Sequence, residues 1–315
     1  MHPVLESLWH VVETDPLPEA YTSSYWKEFG SQIVVARRGE SLDLRGAQIG
    51  AVYVRNPALR TLEWVGRASH RRFTRSLPHY PRVWRAVKRL AGDLSFGLTY
   101  DVWKPGVILS ILLQHWEQQR LAPRTFAVIG DGYGFLSALI YRYLPGVRIY
   151  CVDLPKTLMF QATTHQRAHP QASLSLLSAQ TADRSADVTL VIPQEVERVG
   201  EAIDCAINIA SMQEMNAFTI AAYFTFLRRR SRTQSRFYCV NRLEKRLPGG
   251  EVARFHDYPW QADDQLFLDA ACPFYHHFVS AKTLPQGPRV AGLRVPFVNH
   301  FDGVHWHRLA RLSPR

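Results

Sequence analysis

The sequence predicts an α/β fold, a doubly wound and mainly parallel sheet with a helical N-terminal region. Three observations predict it. Short apolar runs of strand length recur at residues 126–129, 147–152, 188–192, 203–209 and 237–240. Segments with apolar residues at helical spacing lie between several of these runs. The first 120 residues lack that alternation and carry helical patches instead. Strands that alternate with helices argue for parallel pairing, because a parallel neighbour is reached only by a long crossover.

The elements follow in order. In the N-terminal region, residues 82–90 place Val83, Val87 and Leu90 at helical spacing, and 107–119 form a second helical patch. Residues 120–124, Arg-Leu-Ala-Pro-Arg, mark a boundary between a helical region, 1–120, and a second domain, 121–315. Residues 126–129 then read as a strand ended by glycines. Residues 135–144 put Leu136, Leu139, Ile140, Tyr143 and Leu144 on one helical face, and Pro145-Gly146 stops that helix. A second strand, 147–152, ends at Asp153. Strands at 188–192, 203–209 and 237–240 follow, with a helix at 217–230 between the last two. Its final Arg228, Arg229 and Arg230 suit the negative end of the helix dipole. Further strand-like pieces lie at 277–280, 293–299 and 304–309.

Composition narrows the setting. The chain has 315 residues and is 46% hydrophobic, enough for one large α/β domain with an added helical portion. Charged residues make up 21% and no stretch is of low complexity, so disorder is expected only at the ends. The formal net charge is +11. Such an excess suits nucleic acid, an anionic surface or an acidic substrate, or is simply spread over the surface. Arg67, His70, Arg71, Arg72, Arg75, Arg82, Arg85, Lys88 and Arg89 concentrate part of it. Cys151, Cys205, Cys239 and Cys272 are not paired at metal spacing, and three of them fall in apolar runs. Buried thiols fit a reducing, cytoplasmic setting. The first residues lack the pattern of a signal peptide, and the apolar stretch 107–113 is too short to span a bilayer, so no membrane insertion is expected.

The chemistry starts at Gly130-Asp131-Gly132-Tyr133-Gly134, which joins the first strand of the second domain to its helix. Glycines there permit a tight turn and let a ligand lie against bare backbone. The helix N-terminus adds unpaired N–H groups. Asp153 closes the next strand, where a carboxylate can accept both hydroxyls of a ribose. Two cofactor classes use this arrangement. A dinucleotide loop, G-x-G-x-x-G, wants Gly or Ala at its sixth position, which here is Phe135. The form G-x-G-x-G needs its third glycine at 134, where it stands. The loop therefore predicts S-adenosylmethionine, held by Gly130, Asp131, Gly132, Tyr133, Gly134, Asp153 and Leu154.

Three pieces of the chain carry a family resemblance: IGDGYG (129–134) with CVDLP (151–155), INIASMQEM (207–215), and FYCVNRLEK (237–245) followed by RFHDYPW (254–260). With them, residues 120–300 resemble the bacterial sugar O-methyltransferases. The resemblance implies a Rossmann-like methyltransferase sheet and methyl transfer to a sugar hydroxyl on a glycan, nucleotide-sugar or glycosylated metabolite. It puts adenine near Pro193 and Gln194. One position departs: methyltransferases usually carry an acidic residue two before the first glycine, and this chain has Val128. Asp131 is a candidate for that role.

Methyl transfer to an alcohol needs an aligned hydroxyl and a group that takes its proton. Ligands of an open parallel sheet lie beyond the strands' carboxyl ends. Those ends carry Asn208, Gln213 and Glu214 after one strand and Asn241 and Arg242 after the next, with His256 and Asp257 in the following loop. Asn208 is assigned to the cofactor side. Glu214 or His256 is the candidate base. Gln213, Asn241, Arg242 and Asp257 would hold sugar hydroxyls or an anionic group. The plainer readings are a helix N-terminal charge for Glu214 and ordinary loop positions for the rest.

No metal is expected. Magnesium could use oxygens of Asp257, Asp263, Asp264 and Glu214, but solvated carboxylates explain them as well. His165 and His169 lack the glutamate of a zinc motif, and with His305 and His307 they read as packing residues. Trp9, Trp26, Trp64, Trp84, Trp103 and Trp116 make the N-terminal region the place to seek an acceptor-site lid, although most tryptophans are core. Two alternatives stand beside the sugar acceptor. A nucleic-acid methyltransferase would show a continuous basic surface leading to Glu214. A non-catalytic nucleotide-binding protein would bind cofactor without turnover.

Overall fold

A computed structural model describes residues 2–14, 18–39, 41–46, 49–50, 52, 70–178, 186–276, 289–290, 292–294 and 303–314. The predicted strand at 277–280, most of the one at 293–299, Arg67 and Trp64 lie outside the described residues.

The N-terminal region contains the helices Pro3–Thr14, Ser24–Phe29, Arg71–Arg75, Tyr80–Leu94 and Tyr100–Gln119. It is not purely helical: β1 (Val34–Arg38) and β2 (Ser41–Arg45) form an antiparallel hairpin. The later strands are β3 (Thr125–Ile129), β4 (Arg148–Val152), β5 (Leu174–Leu177), β6 (Val188–Val191), β7 (Cys205–Ile209), β8 (Arg236–Arg242), β9 (Glu244–Arg246), β10 (Val252–Arg254), β11 (Gln265–Ala271), β12 (Arg289–Val290), β13 (Leu293–Arg294) and β14 (His305–Arg311). Eight of them form one sheet in the order β11-β14-β8-β7-β3-β4-β6-β5. From β5 to β8 every pair is parallel, and β14 and β11 are added antiparallel at one edge. The sheet is therefore mainly parallel and doubly wound, as the sequence predicts. β5, the helix Pro155–Ala168 and β11 are elements the apolar runs did not reveal.

Both faces of the sheet are covered, as a parallel sheet requires. Phe126 and Val128 of β3 join one core cluster with Val87, Ile108 and Leu139 from three helices. Ala127 and Ile129, which point the other way, join a second cluster with Tyr223 and Phe224 of the helix Ala217–Arg229. Period-2 alternation thus serves two cores, so the strand reads as unbroken apolar sequence. The predicted dipole arginines have a different task. Arg228 is 2% exposed and donates to both oxygens of Asp264 at 2.6 and 2.9 Å, tying the helix end to the chain terminus. All four cysteines are free and buried.

The chain runs from β3 to β4 on one side and returns to β7 on the other. The crevice between β3 and β7 is thus a topological switch point, where open α/β sheets bind ligands. Among the described residues, no helix is long and apolar enough to cross a membrane.

Candidate active site

A cavity of about 520 Å³ opens at the carboxyl ends of the parallel strands. Val128 and Ile129 close it at β3, Asp153 and Leu154 follow β4, Pro193 follows β6, Ile209 to Ser211 end β7, and Arg242 ends β8. The loop Gly130–Tyr133 forms one wall.

The loop's conformation is forced by its neighbours. Gly130 has φ +72°, and a Cβ there would lie 1.9 Å from Ser211 Oγ. Gly132 has φ +57°, and its Cβ would lie 2.2 Å from the Ile49 carbonyl oxygen. Asp131 accepts from the backbone N–H groups of Leu136 and Ser137 at 3.1 and 2.8 Å, capping the helix Phe135–Tyr143. Burial raises its carboxyl to about 6, against those bonds. Asp153 accepts from Leu154 N at 2.8 Å and from Gln161 Nε2 at 2.7 Å. Burial raises it to about 7, helped by the negative charge of Asp131. Phe135 is buried against Phe96, with ring centroids 6.2 Å apart.

The facing wall is built by an amide relay. Asn208 Nδ2 donates to the Ile129 carbonyl at 2.9 Å, and Asn241 Nδ2 donates to Asn208 Oδ1 at 2.8 Å. Asn241 Oδ1 accepts from Gln213 N at 3.0 Å, and Gln213 Oε1 accepts from Arg242 N at 2.7 Å. Ala210 takes a left-handed φ of +57°, a turn that costs a non-glycine residue about 1 kcal/mol. The turn and the relay carry the segment Ser211–Glu214 over the cavity. The Glu214 carboxylate meets Lys245 Nζ at 2.7 Å, and burial raises its pKa against that cation. The helix after it is capped by Asn216, which accepts from Thr219 N, so Glu214 does not serve as the cap.

The predicted residues therefore separate. Gly130, Asp131, Gly132, Tyr133, Asp153, Leu154, Pro193, Gln213, Glu214 and Arg242 line the cavity. Gly134 lies beneath, where a Cβ would be 2.9 Å from Gln161 Cα. Asn208 and Asn241 are fully buried positioning groups behind the wall, not lining residues. Gln194 is outside the lining. His256 and Asp257 are exposed on the turn Phe255–Asp257, where buried Phe255 anchors the turn and His256 packs edge-on to Trp306 at 5.6 Å. Of the two candidate bases, only Glu214 faces the cavity.

Sequence reasoning missed several lining groups: Asp101, Lys104, Lys245, Tyr275 and His305. Lys104 had a signal, a single cation between Val102-Trp103 and the apolar run 107–113. Tyr21, Tyr25 and Trp26 line the cavity, whereas Trp103 and Trp116 are core. His305 packs flat on Tyr275 at 3.7 Å, and burial beside Arg242 keeps it neutral, well below the usual histidine range. Asp264, one of the carboxylates whose oxygens magnesium could use, is held by Arg228. Among the described residues, no three His, Cys, Asp or Glu side chains group as a metal site. Of the basic stretch, Arg75, Arg82, Arg85, Lys88 and Arg89 are exposed, but His70 is buried and bonded to the Phe274 carbonyl at 2.6 Å. None of these residues lines the cavity, where Lys104, Arg242 and Lys245 face Asp101, Asp131, Asp153 and Glu214.

Two buried hydroxyls in the lining, Thr157 Oγ1 and Thr219 Oγ1, lack a partner among the described residues. Unpaired buried polar atoms are costly, and a polar ligand would satisfy them.

No family model matches the chain, and no curated protein matches it. The chain is similar to a solved S-adenosylmethionine-dependent methyltransferase from Clostridium acetobutylicum, at 10% identity over 64% of this chain and 89% of that one, with a TM-score of 0.39. It is also similar to the methyltransferase CalO6, at 18% identity over 63% and 60% with a TM-score of 0.39. A protein from Thermoplasma acidophilum matches at 11% identity over 74% and 97%, with a TM-score of 0.42. Likeness at this level says nothing of the reaction or the acceptor, for which the cavity itself is the ground.

Proposed function

We propose that the chain is an S-adenosylmethionine-dependent methyltransferase whose acceptor is a sugar hydroxyl. The observation that carries the reading is one cavity with two unlike walls. On one wall a glycine loop precedes a helix N-terminus, with Asp153 at the end of the adjacent strand and, on the helix that follows it, Thr157, whose hydroxyl has no partner among the described residues. On the other, Gln213, Glu214 and Arg242 stand beside the rings of Tyr21, Tyr25 and Trp26. In this reading the glycine loop and Asp153 of residues 121–315 hold the nucleoside part of the cofactor, and residues 1–120 supply part of the acceptor wall.

When bound, S-adenosylmethionine supplies a methyl group on a sulfonium that leaves as a neutral thioether. The chain's residues do the rest. Asp153 accepts the ribose hydroxyls. Gln213 and Arg242 orient the acceptor, and the aromatic rings give its sugar ring an apolar face. Glu214 takes the hydroxyl proton as the oxygen forms its bond to carbon. Burial raises the carboxyl, which makes it a better base, and Lys245 keeps it ionised. The mixed charges in the cavity suit a small acceptor, neutral or singly charged. A nucleic acid would want a continuous basic surface instead.

Parallel calorimetry with S-adenosylhomocysteine and NAD tests the cofactor. S-adenosylhomocysteine should bind and NAD should not; NAD binding alone overturns the reading. Methyl transfer to a panel of nucleotide-sugars and glycosides then tests the acceptor.

A further inference from the structure

We propose that Asp101 and Lys104, one turn apart on the helix Tyr100–Gln119, hold the methionine end of S-adenosylmethionine. The inference rests on the cofactor reading above. That end of the molecule carries an ammonium and a carboxylate on one carbon. A matching site offers an anion and a cation side by side.

The strand and the loop offer no such pair. Val128 and Ile129 are apolar. Asp131 uses its oxygens on Leu136 N and Ser137 N. Asp153 is bonded to Leu154 N and Gln161 and belongs to the ribose end. Asp101 and Lys104 line the same cavity, with Nζ 3.2 Å from Oδ1. Their placement faces the loop. A Cβ on Gly50 would lie 3.5 Å from Asp101 Oδ2 and 3.7 Å from Tyr133 Cδ2, so the carboxylate and the loop tyrosine border the same small space beside Gly50. Lys104 lines the cavity together with both Asp131 and Glu214 and acts electrostatically on each. Its side chain is 15% exposed. Burial disfavours its charge, yet Tyr275 and Asp101 hold its pKa above the ordinary lysine range. A protonated, largely buried ammonium beside a carboxylate is a ready partner for a zwitterion.

The rival is the Glu214–Lys245 pair. It sits on the acceptor side, where Lys245 lies 4.2 Å over the ring of Tyr25.

The test compares two ligands by calorimetry, S-adenosylhomocysteine and 5′-methylthioadenosine, which lacks the amino-acid end. The wild-type protein should bind the first at least tenfold more tightly. Asp101→Asn and Lys104→Met should each weaken the first by about tenfold, the effect of one lost charge-assisted contact, and leave the second within about twofold. Asp101 also stands in the first turn of its helix, so the second ligand controls for damage to the fold. Unchanged S-adenosylhomocysteine binding, or equal loss of both ligands, overturns the assignment. So does a gap that closes in Lys245→Met but not in Lys104→Met. If the wild-type protein binds neither ligand, the cofactor reading fails first.

Discussion

Gly130→Ala is the substitution whose cost the structure defines most fully. Two effects add. The left-handed φ of +72° costs an alanine about 1–2 kcal/mol. The new Cβ would also lie 1.9 Å from Ser211 Oγ and 2.4 Å from Ser211 Cβ, so backbone or side chain must shift. Overpacking of that kind typically costs about 1–3 kcal/mol. The single variant should therefore lose about 2–5 kcal/mol of stability. Ser211→Gly alone removes the Oγ that accepts from Asn208 Nδ2 at 2.5 Å, a loss of about 1 kcal/mol. The two changes are not independent, because Ser211→Gly removes the atoms the new Cβ meets. The double variant should be less destabilised than the sum of the singles by about 1–3 kcal/mol, the overlap part alone. Urea unfolding of all four proteins measures this. Simple additivity would refute the claim that Ser211, rather than backbone conformation alone, dictates glycine at 130.

Glu214→Gln should lower the methylation rate by about 10²–10⁴-fold with S-adenosylhomocysteine affinity unchanged, while His256→Ala leaves the rate within about twofold; a full rate in Glu214→Gln removes it as the base. Burial raises the carboxyls of Asp131 and Asp153, to about 6 and about 7, from an ordinary value of 3.8. A group with a raised folded pKa contributes stability that is complete below its unfolded pKa and lost as pH rises through the folded one. The unliganded protein should therefore lose thermal stability between about pH 4 and 8, and Asp153→Asn should flatten that slope; a midpoint rising over the same window contradicts the assigned burial. Arg228→Met leaves Asp264 buried without its cation and should cost roughly 3–5 kcal/mol by urea unfolding. An effect below about 1 kcal/mol would mean that the pair is open to water.

Much of the sheet was legible because its strands are covered on both faces. Such strands are short apolar runs, and 126–129, 147–152, 203–209 and 237–240 stand out against their surroundings. β11 did not stand out. It is an edge strand with exposed Gln265 and Leu266, paired antiparallel with a register shift, so it has no unbroken apolar run. The helix Pro155–Ala168 was passed over because polar Thr157, Gln161, Thr164 and His165 are among its buried residues, which blurs the apolar stripe. The placement of His256 was equally out of reach. It follows a strand end in sequence, but the turn is anchored by buried Phe255 and leaves His256 exposed. Lys104 and Asp101 sit 26 and 29 residues before Gly130, and nothing in local spacing joins them to the loop.

The glycine loop was the clearest signal in the sequence, and the structure alters what that signal means. Glycine in such a loop is usually attributed to a ligand that lies against bare backbone. Here each glycine also answers to the protein: Gly130 to Ser211, Gly132 to the Ile49 carbonyl, and Gly134 to Gln161. Those three neighbours come from the acceptor wall, the N-terminal region and the helix behind Asp153. The loop is thus the point where three otherwise distant segments meet. A substitution at Gln161, which is outside the cavity lining, should disturb cofactor binding by way of the loop, without touching the ligand. The same argument applies to Asn208 and Asn241. They were picked out as contacts because polar residues at strand ends suggest ligands, and they instead fix the segment that carries Glu214. Polar residues beyond a parallel strand mark the neighbourhood of a site, and only their partners tell whether they face it or hold it in shape.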